Sequence, residues 1–295
     1  MTGAAVATEE FERLRRQITR MERGVVAGGG ARGLAAVGDV SSGGVSFGHP
    51  QVDARFQDGV LPFGVHEVAA QSGAEASPAL GFCLMITART LAQNPRGMGL
   101  IIQPSGPAGE NGDLYGPGLA ALGLPLSRLA LVRVRTPAEA LRVMDEALRC
   151  GAAATVVAEV WDDSQVDLSL TKRFNISSQA QGLMAFLVTR EQSGTSAALS
   201  RWVVGAATSE GEVESARRRG IRRPRLGRPA LDLTLTRNRR GAPGGWPLGQ
   251  WKVEWDGDGC CFHAPGCGAA HLGPAETLPA SLAGPAFDRP DTAVA

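Results

Sequence analysis

Leu61-Pro62-Phe63-Gly64-Val65-His66-Glu67-Val68-Ala69, continuing into Ala70-Gln71-Ser72-Gly73-Ala74-Glu75-Ala76-Ser77-Pro78, decides how the rest of the chain is read. Val65 to Ala69 is a short, mostly apolar run of strand length. Ser77-Pro78 opens a helix, because proline suits the first helical turn, where its missing N–H has no intrahelical partner to lose. Ala70 to Ser77 therefore has the position of a phosphate-binding loop. Such a loop needs backbone N–H groups around the phosphates, a Lys for the terminal phosphates and a hydroxyl for Mg²⁺. Here one glycine, one acid and no lysine are present, so Gly73, Glu75 and Ser77 belong to a degenerate loop. The chain has two lysines, Lys172 and Lys252, and neither follows a glycine. No loop of this kind is hidden elsewhere, and no bound cofactor is expected.

Downstream the pattern alternates. Strand-like apolar runs at Met98–Gln103, Leu129–Val134, Ala153–Val160 and Leu183–Thr189 are separated by helical stretches with clear start signals. Ser77-Pro78 opens Leu80–Leu91, and Thr136-Pro137-Ala138-Glu139 is a capping box followed by Leu141, Met144, Ala147 and Leu148 on one face. Ser164 and Asp167 open the next helix. This alternation predicts an α/β fold, a mainly parallel sheet flanked by helices. After Thr189 the runs Arg201–Ala206, Pro229–Thr236 and Gln250–Trp255 lack intervening long helices, which predicts an antiparallel extension of the sheet.

The ends read differently. Thr8 caps an amphipathic helix over residues 1–24, with Phe11, Leu14, Ile18 and Met21 on one face. A tethered helix of this kind docks on a neighbouring surface, so Phe11, Leu14 and Ile18 are partner-binding candidates. Residues 25–52 are glycine- and serine-rich and read as a linker. The core is expected over 53–256, and 257–295 reads as a disordered tail rich in Gly, Pro and Ala.

Composition narrows the classes. Thirty basic against 29 acidic residues give a net charge of +1, so overall electrostatics favour neither nucleic acid nor membrane. No apolar run approaches the ~20 residues needed to span a bilayer, and the N-terminus lacks a signal-peptide apolar segment. A soluble, cytoplasmic protein is expected. Five cysteines make no disulfide framework, and Cys83 and Cys150 fall in helical apolar contexts suited to reduced thiols.

The order of elements, entered through Leu61–Glu67, resembles the RecA-type recombinase core. The likeness continues through Leu119-Ala120-Ala121-Leu122-Gly123-Leu124, the box at Thr136–Glu139 and the strand Thr155-Val156-Val157-Ala158-Glu159. It ends in Thr234-Leu235-Thr236-Arg237-Asn238-Arg239-Arg240-Gly241-Ala242-Pro243, similar to a recombinase strand with a basic-Asn-basic motif. Together with Pro247-Leu248-Gly249-Gln250-Trp251-Lys252-Val253-Glu254-Trp255, this ending resembles the bacterial ImuA family. That resemblance implies an SOS-induced, nucleoid-associated accessory role in error-prone translesion synthesis, beside ImuB and a C-family polymerase, with RecA and DNA as further partners.

In a RecA-type core a Glu after the second strand orients the attacking water and an Asp ends the fourth. Here Gln103-Pro104-Ser105 offers no acid, although Glu110 and Asp113 lie further on, and Glu159 stands at the end of the fourth strand. Phosphoryl transfer depends on positioned charge around the γ-phosphate, so these absences predict a protein that does not hydrolyse ATP. The competing readings are a DNA-dependent ATPase with an atypical loop and a stand-alone DNA-binding module.

Arg217, Arg218, Arg219, Arg222, Arg223, Arg225 and Arg228, with Arg237, Arg239 and Arg240, form the densest basic run and could neutralise several DNA phosphates or meet an acidic partner. No aromatic residue interleaves it, which argues against base stacking. Cys260, Cys261, His263, Cys267 and His271 lie close together, but without a C-x₂₋₄-C pair no metal site is expected. His66 and Glu67 point to opposite strand faces and form no catalytic pair. Trp246, Trp251 and Trp255 read as packing residues.

Overall fold

The computed structural model describes residues 43–71, 76–105, 113–160, 163–190, 194–209, 213–214, 223–224, 227–241 and 248–266. Strands β1 (Gly44–Val45) and β2 (Leu61–Pro62) form a small antiparallel pair ahead of β3 (Gly64–Ala70). Then follow β4 (Gly99–Pro104), β5 (Leu129–Val134), β6 (Thr155–Glu159), β7 (Met184–Thr189) and β8 (Ser200–Ala206). A second small pair, β9 (Val213–Glu214) and β10 (Arg223–Pro224), precedes β11 (Ala230–Asn238), β12 (Gly249–Asp256) and β13 (Cys261–His263).

Nine strands make one sheet in the order β13-β12-β11-β8-β3-β7-β6-β4-β5. From β5 to β8 all pairings are parallel, and from β8 to β13 all are antiparallel. The expected α/β architecture, a mainly parallel sheet flanked by helices with an antiparallel extension, is therefore the one observed.

Helices α1 (Pro50–Asp53), α2 (Ala76–Gln93), α3 (Gly116–Ala121), α4 (Pro137–Cys150) and α5 (Leu168–Gln181) complete the fold. Thr136 caps α4 by accepting the Glu139 N–H at 3.2 Å, while Glu139 reaches back to the Arg135 N–H at 2.7 Å, one residue before the cap. That helix buries Leu141, Met144 and Leu148 against the β4–β5–β6 face, roughly 2 kcal/mol for each side chain. Gly151, left-handed at φ 66°, ends it. Asp167 caps α5 through the Leu170 N–H at 2.7 Å. Among the described residues no helix is long and apolar enough to cross a membrane.

Three expectations need correction. Residues 43–52, placed in the linker, enter the core: Phe47 is fully buried, with its ring 5.4 Å from Trp202, 5.8 Å from Phe262, 6.0 Å from Phe56 and 6.1 Å from Phe82. Asp53 locks this turn by accepting the Phe47 N–H at 2.6 Å, the Ser46 hydroxyl at 2.9 Å and the Gly48 N–H at 3.1 Å. Glycine content suggested a tether; one aromatic side chain with four ring partners outweighs it. Ordered sheet also runs past Asp256, since Phe262 in β13 buries its ring against Trp255 at 4.7 Å. Cys150 is exposed at the end of α4, whereas Cys83 is buried. The expected N-terminal helix with Phe11, Leu14 and Ile18 lies outside the described residues.

His66 shows how a polar residue survives in a strand buried on both faces. Its Nε2 donates to the Pro62 carbonyl at 2.9 Å, so Nδ1 accepts from the Ser200 hydroxyl at 2.7 Å, and that oxygen accepts the Trp202 indole N–H at 2.8 Å. Burial drives the imidazole pKa down to about 4, against a weaker raising effect from the Pro62 carbonyl.

Two predictions follow from this core. Phe47→Ala lowers unfolding free energy by about 3–5 kcal/mol in a urea titration, the usual range for a buried aromatic; a loss under about 1 kcal/mol would show that the segment is only loosely attached. His66 stays neutral in the folded state while the unfolded state takes up its proton below about pH 6.5. Stability present above that pH is therefore lost by about 3 kcal/mol as pH falls to about 4, and His66→Gln flattens this part of the pH profile.

Candidate functional site

Ligands of open α/β sheets bind beyond the carboxyl ends of the strands, where successive connections diverge. The chain leaves β4 outward to edge strand β5, but leaves β6 inward to β7. The crevice belongs between the ends of β4 and β6. Parallel register pairs Ile102 with Ala158, which brings Gln103 and Glu159 side by side at that point.

The two side chains seal it. Gln103 Nε2 donates to Glu159 Oε1, and both residues are 3% exposed. Burial raises the Glu159 carboxyl pKa, opposed first by the Gln103 hydrogen bond and then by the Arg133 charge. Cys83, buried on α2, has its thiol pushed well up, mostly by burial and secondarily by the Glu159 charge. Among the described residues Gln103 Oε1 has no hydrogen-bond partner. An acid placed to hold a metal ion should be ionised and open to ligand; this one faces an amide, away from solvent.

Of the degenerate loop, Ser77 sits exposed in the first turn of α2, while Gly73 and Glu75 lie outside the described residues. Asp113 is on the surface, paired with Arg133 at 2.6 Å, and Glu110 lies outside the described residues. Lys172 is exposed on α5, and Lys252 on β12 donates to the Thr208 hydroxyl at 3.1 Å.

The basic candidates divide. Arg217, Arg218, Arg219, Arg222 and Arg225 lie outside the described residues, and only the backbone of Arg223 is placed, in β10. Arg228 faces Asp256 at 3.7 Å. Arg237 is half-buried; Arg239 and Arg240 are exposed where β11 ends, Arg239 donating to the Ser196 carbonyl at 2.8 Å. Asn238 between them is structural: its Nδ2 donates to the Arg55 carbonyl at 2.9 Å and its Oδ1 accepts the Arg240 N–H at 3.0 Å. The basic-Asn-basic motif thus presents its arginines from a turn that its asparagine anchors.

His66 and Glu67 face opposite ways, as expected; Glu67 is paired with Arg201. Trp251 and Trp255 are buried, while Trp246 lies outside the described residues. Among the described residues one group of metal-type ligands converges, Asp256 with Cys261 and His263. Sequence spacing could not show this, because Asp256 meets Cys261 across a hairpin. The alternation of Cys261 and His263 in a short strand was the available signal.

No protein-family model matches the chain. It is similar to Protein ImuA of Caulobacter vibrioides, strains NA1000 / CB15N and ATCC 19089 / CIP 103742 / CB 15, at 29% identity over 215 residues, 69% of this chain and 82% of the relative. That similarity bears out the resemblance to the ImuA family carried by the sequence motifs. Among solved structures, SulA from Pseudomonas aeruginosa aligns with 43% of this chain and 98% of its own at 22% identity and a TM-score of 0.31, a likeness that carries no structural argument.

Glu159→Gln tests the sealed pair. The raised carboxyl pKa means that ionising Glu159 costs the folded state more than the unfolded one, so wild-type stability drops as pH rises above the unfolded value of about 4.3. Glutamine removes this cost, and its amide can donate to Gln103 Oε1. The variant should be about 1 kcal/mol more stable than wild type at pH 7 in urea unfolding, with the gap shrinking towards pH 4; clear destabilisation at pH 7 would show that the carboxylate is needed.

Proposed function

We propose that this chain is a non-catalytic accessory protein of bacterial damage-induced mutagenesis, supporting error-prone translesion DNA synthesis by holding an ImuB-type protein and a C-family polymerase. The observation that carries the non-catalytic part is the buried Gln103–Glu159 pair at the strand ends. A RecA-type ATPase needs charge positioned there around Mg²⁺ and the γ-phosphate. Here the acid is shielded and its pKa is raised by burial. The lysine-free Ala70–Ser77 segment removes the second requirement. The mutagenesis assignment rests on the similarity to Protein ImuA.

A scaffold without phosphoryl transfer works through contact geometry. Arg239 and Arg240, exposed at a turn, and the run Arg217–Arg228 supply a basic surface for DNA, RecA or an acidic polymerase segment. Phe11, Leu14 and Ile18 supply a second, apolar one. The competing reading, a DNA-dependent ATPase with an atypical loop, requires the Gln103–Glu159 pair to part when nucleotide arrives.

Calorimetry of the full chain with Mg-ATP separates these: no binding is expected at micromolar concentrations, and micromolar affinity overturns the non-catalytic reading. Co-purification with ImuB and the polymerase tests the adaptor. Replacing Arg217–Arg225 arginines by alanine should weaken the complex; loss of DNA retention with the protein complex intact would instead favour a DNA-binding module.

A further inference from the structure

The β12–β13 hairpin brings together three side chains of metal-binding type that are remote from the strand-end crevice in the sheet order. Its register pairs Asp256 with Cys261 and Glu254 with His263. Directly paired residues project to the same face, and so do residues two apart in one strand. Asp256, Cys261, His263 and Glu254 therefore share one face, while Trp255 and Phe262 turn to the aromatic core on the other.

The donor atoms are close together. Cys261 Sγ lies 3.1 Å from His263 Nε2, and that nitrogen lies 3.7 Å from Asp256 Oδ2. Tetrahedral zinc, with bonds of about 2.0–2.3 Å, sets such donors about 3.3–3.6 Å apart, between the two observed values. Oδ1 of Asp256 accepts the Asp258 N–H at 3.2 Å, which orients the carboxylate as an outer partner of a metal ligand does.

Among the described residues, two buried polar groups beside the cluster lack hydrogen-bond partners. Glu254, 6% exposed and opposite His263, has an unpaired Oε1; His49, 4% exposed, has an unpaired Nδ1. Gly48 brings His49 against the hairpin, since a Cβ there would stand 2.8 Å from Cys261 Cβ. Burial, ahead of the raising charge of Asp53, lowers the His49 imidazole pKa, and His263 adds to the lowering. Buried polar atoms beside convergent ligands are groups that a bound cation, directly or through its water, would satisfy.

The local charges work both ways. Burial raises the Cys261 thiol pKa, Arg89 lowers it, Asp256 raises it and Arg228 lowers it. Arg228 also faces Asp256 Oδ2 at 3.7 Å and must yield that oxygen to an incoming ion.

We propose that Asp256, Cys261 and His263 form a zinc site that clips β13 to β12, with a fourth position left for water or a neighbouring side chain. A borderline-soft ion suits one thiolate, one imidazole and one carboxylate. The site staples the last strand of the sheet, and with it Phe262 in the aromatic core.

Stripping the full-length protein of metal and titrating it with Co²⁺, then Zn²⁺, tests this. One Co²⁺ per chain with a thiolate-to-metal charge-transfer band is expected, displaced by Zn²⁺. Cys261→Ser should abolish the band, and His263→Ala should weaken binding at least ~100-fold, beyond the usual loss for an outer partner. Zn²⁺ should raise the melting temperature of wild type but not of His263→Ala, which reads folding and binding together. Cys267→Ser/His271→Ala should bind within about threefold of wild type, well inside the effect of losing even an outer partner. Absence of binding by wild type overturns the proposal, as does binding that survives in Cys261→Ser and His263→Ala but fails in the Cys267/His271 variant.

Discussion

Burial of β3 on both faces is the constraint on which the remaining structure depends. All seven of its residues are buried, yet two of them, His66 and Glu67, are polar. Each needs a partner in a medium where an unsatisfied polar group costs several times what a hydrogen bond contributes. β8 supplies both, Ser200 for the imidazole and Arg201 for the carboxylate. Pairing His66 with Ser200 and Glu67 with Arg201 in one parallel register fixes β8 beside β3, and β8 in turn templates the antiparallel strands. At the entry to β3, Gly64 at φ 145° passes so close to Leu199 and Asn175 that a Cβ would meet them at 2.4 and 2.6 Å.

The second organising element is the aromatic cluster that Phe47 joins. It connects the segments on either side of α1 (Phe47 before it, Phe56 after it), helix α2 (Phe82), the central strand β8 (Trp202) and the last strand β13 (Phe262). Chain positions more than two hundred residues apart thus share one packing unit. Arg89 reinforces it from α2, donating to the carbonyls of Ser46 and Cys260. The parallel half and the antiparallel extension stand or fall together for this reason, and the hairpin tip is held near Ser46 and Phe47.

Two places concentrate chemistry, with opposite characters. At the strand ends a carboxyl and an amide hold each other in a buried pair, which suits a scaffold and opposes phosphate chemistry. At the hairpin tip a thiol, an imidazole and a carboxylate face one another, with the buried Glu254 and His49 behind them. The first site lies where the fold would place a nucleotide; the second is a product of the added strands.

Strand and helix positions were legible because their causes are local. Apolar runs such as Thr155–Glu159, the cap at Thr136 and the helix opening at Asp167 act over a few residues. The absence of lysine from Ala70–Ser77 was equally plain in the chain itself. Pairings between distant residues were not legible. Nothing near Gln103 announces that Glu159 will face it, and nothing near Cys261 announces Asp256, since strand register decides both. Phe47 was read as part of a tether because a single aromatic among glycines carries no periodicity; only the four rings around it make it core. Sequence by itself determined most of the elements and the lack of a lysine in the Ala70–Ser77 loop, through local propensity and residue identity. Tertiary structure alone decided which polar groups meet, because long-range register and burial set those contacts.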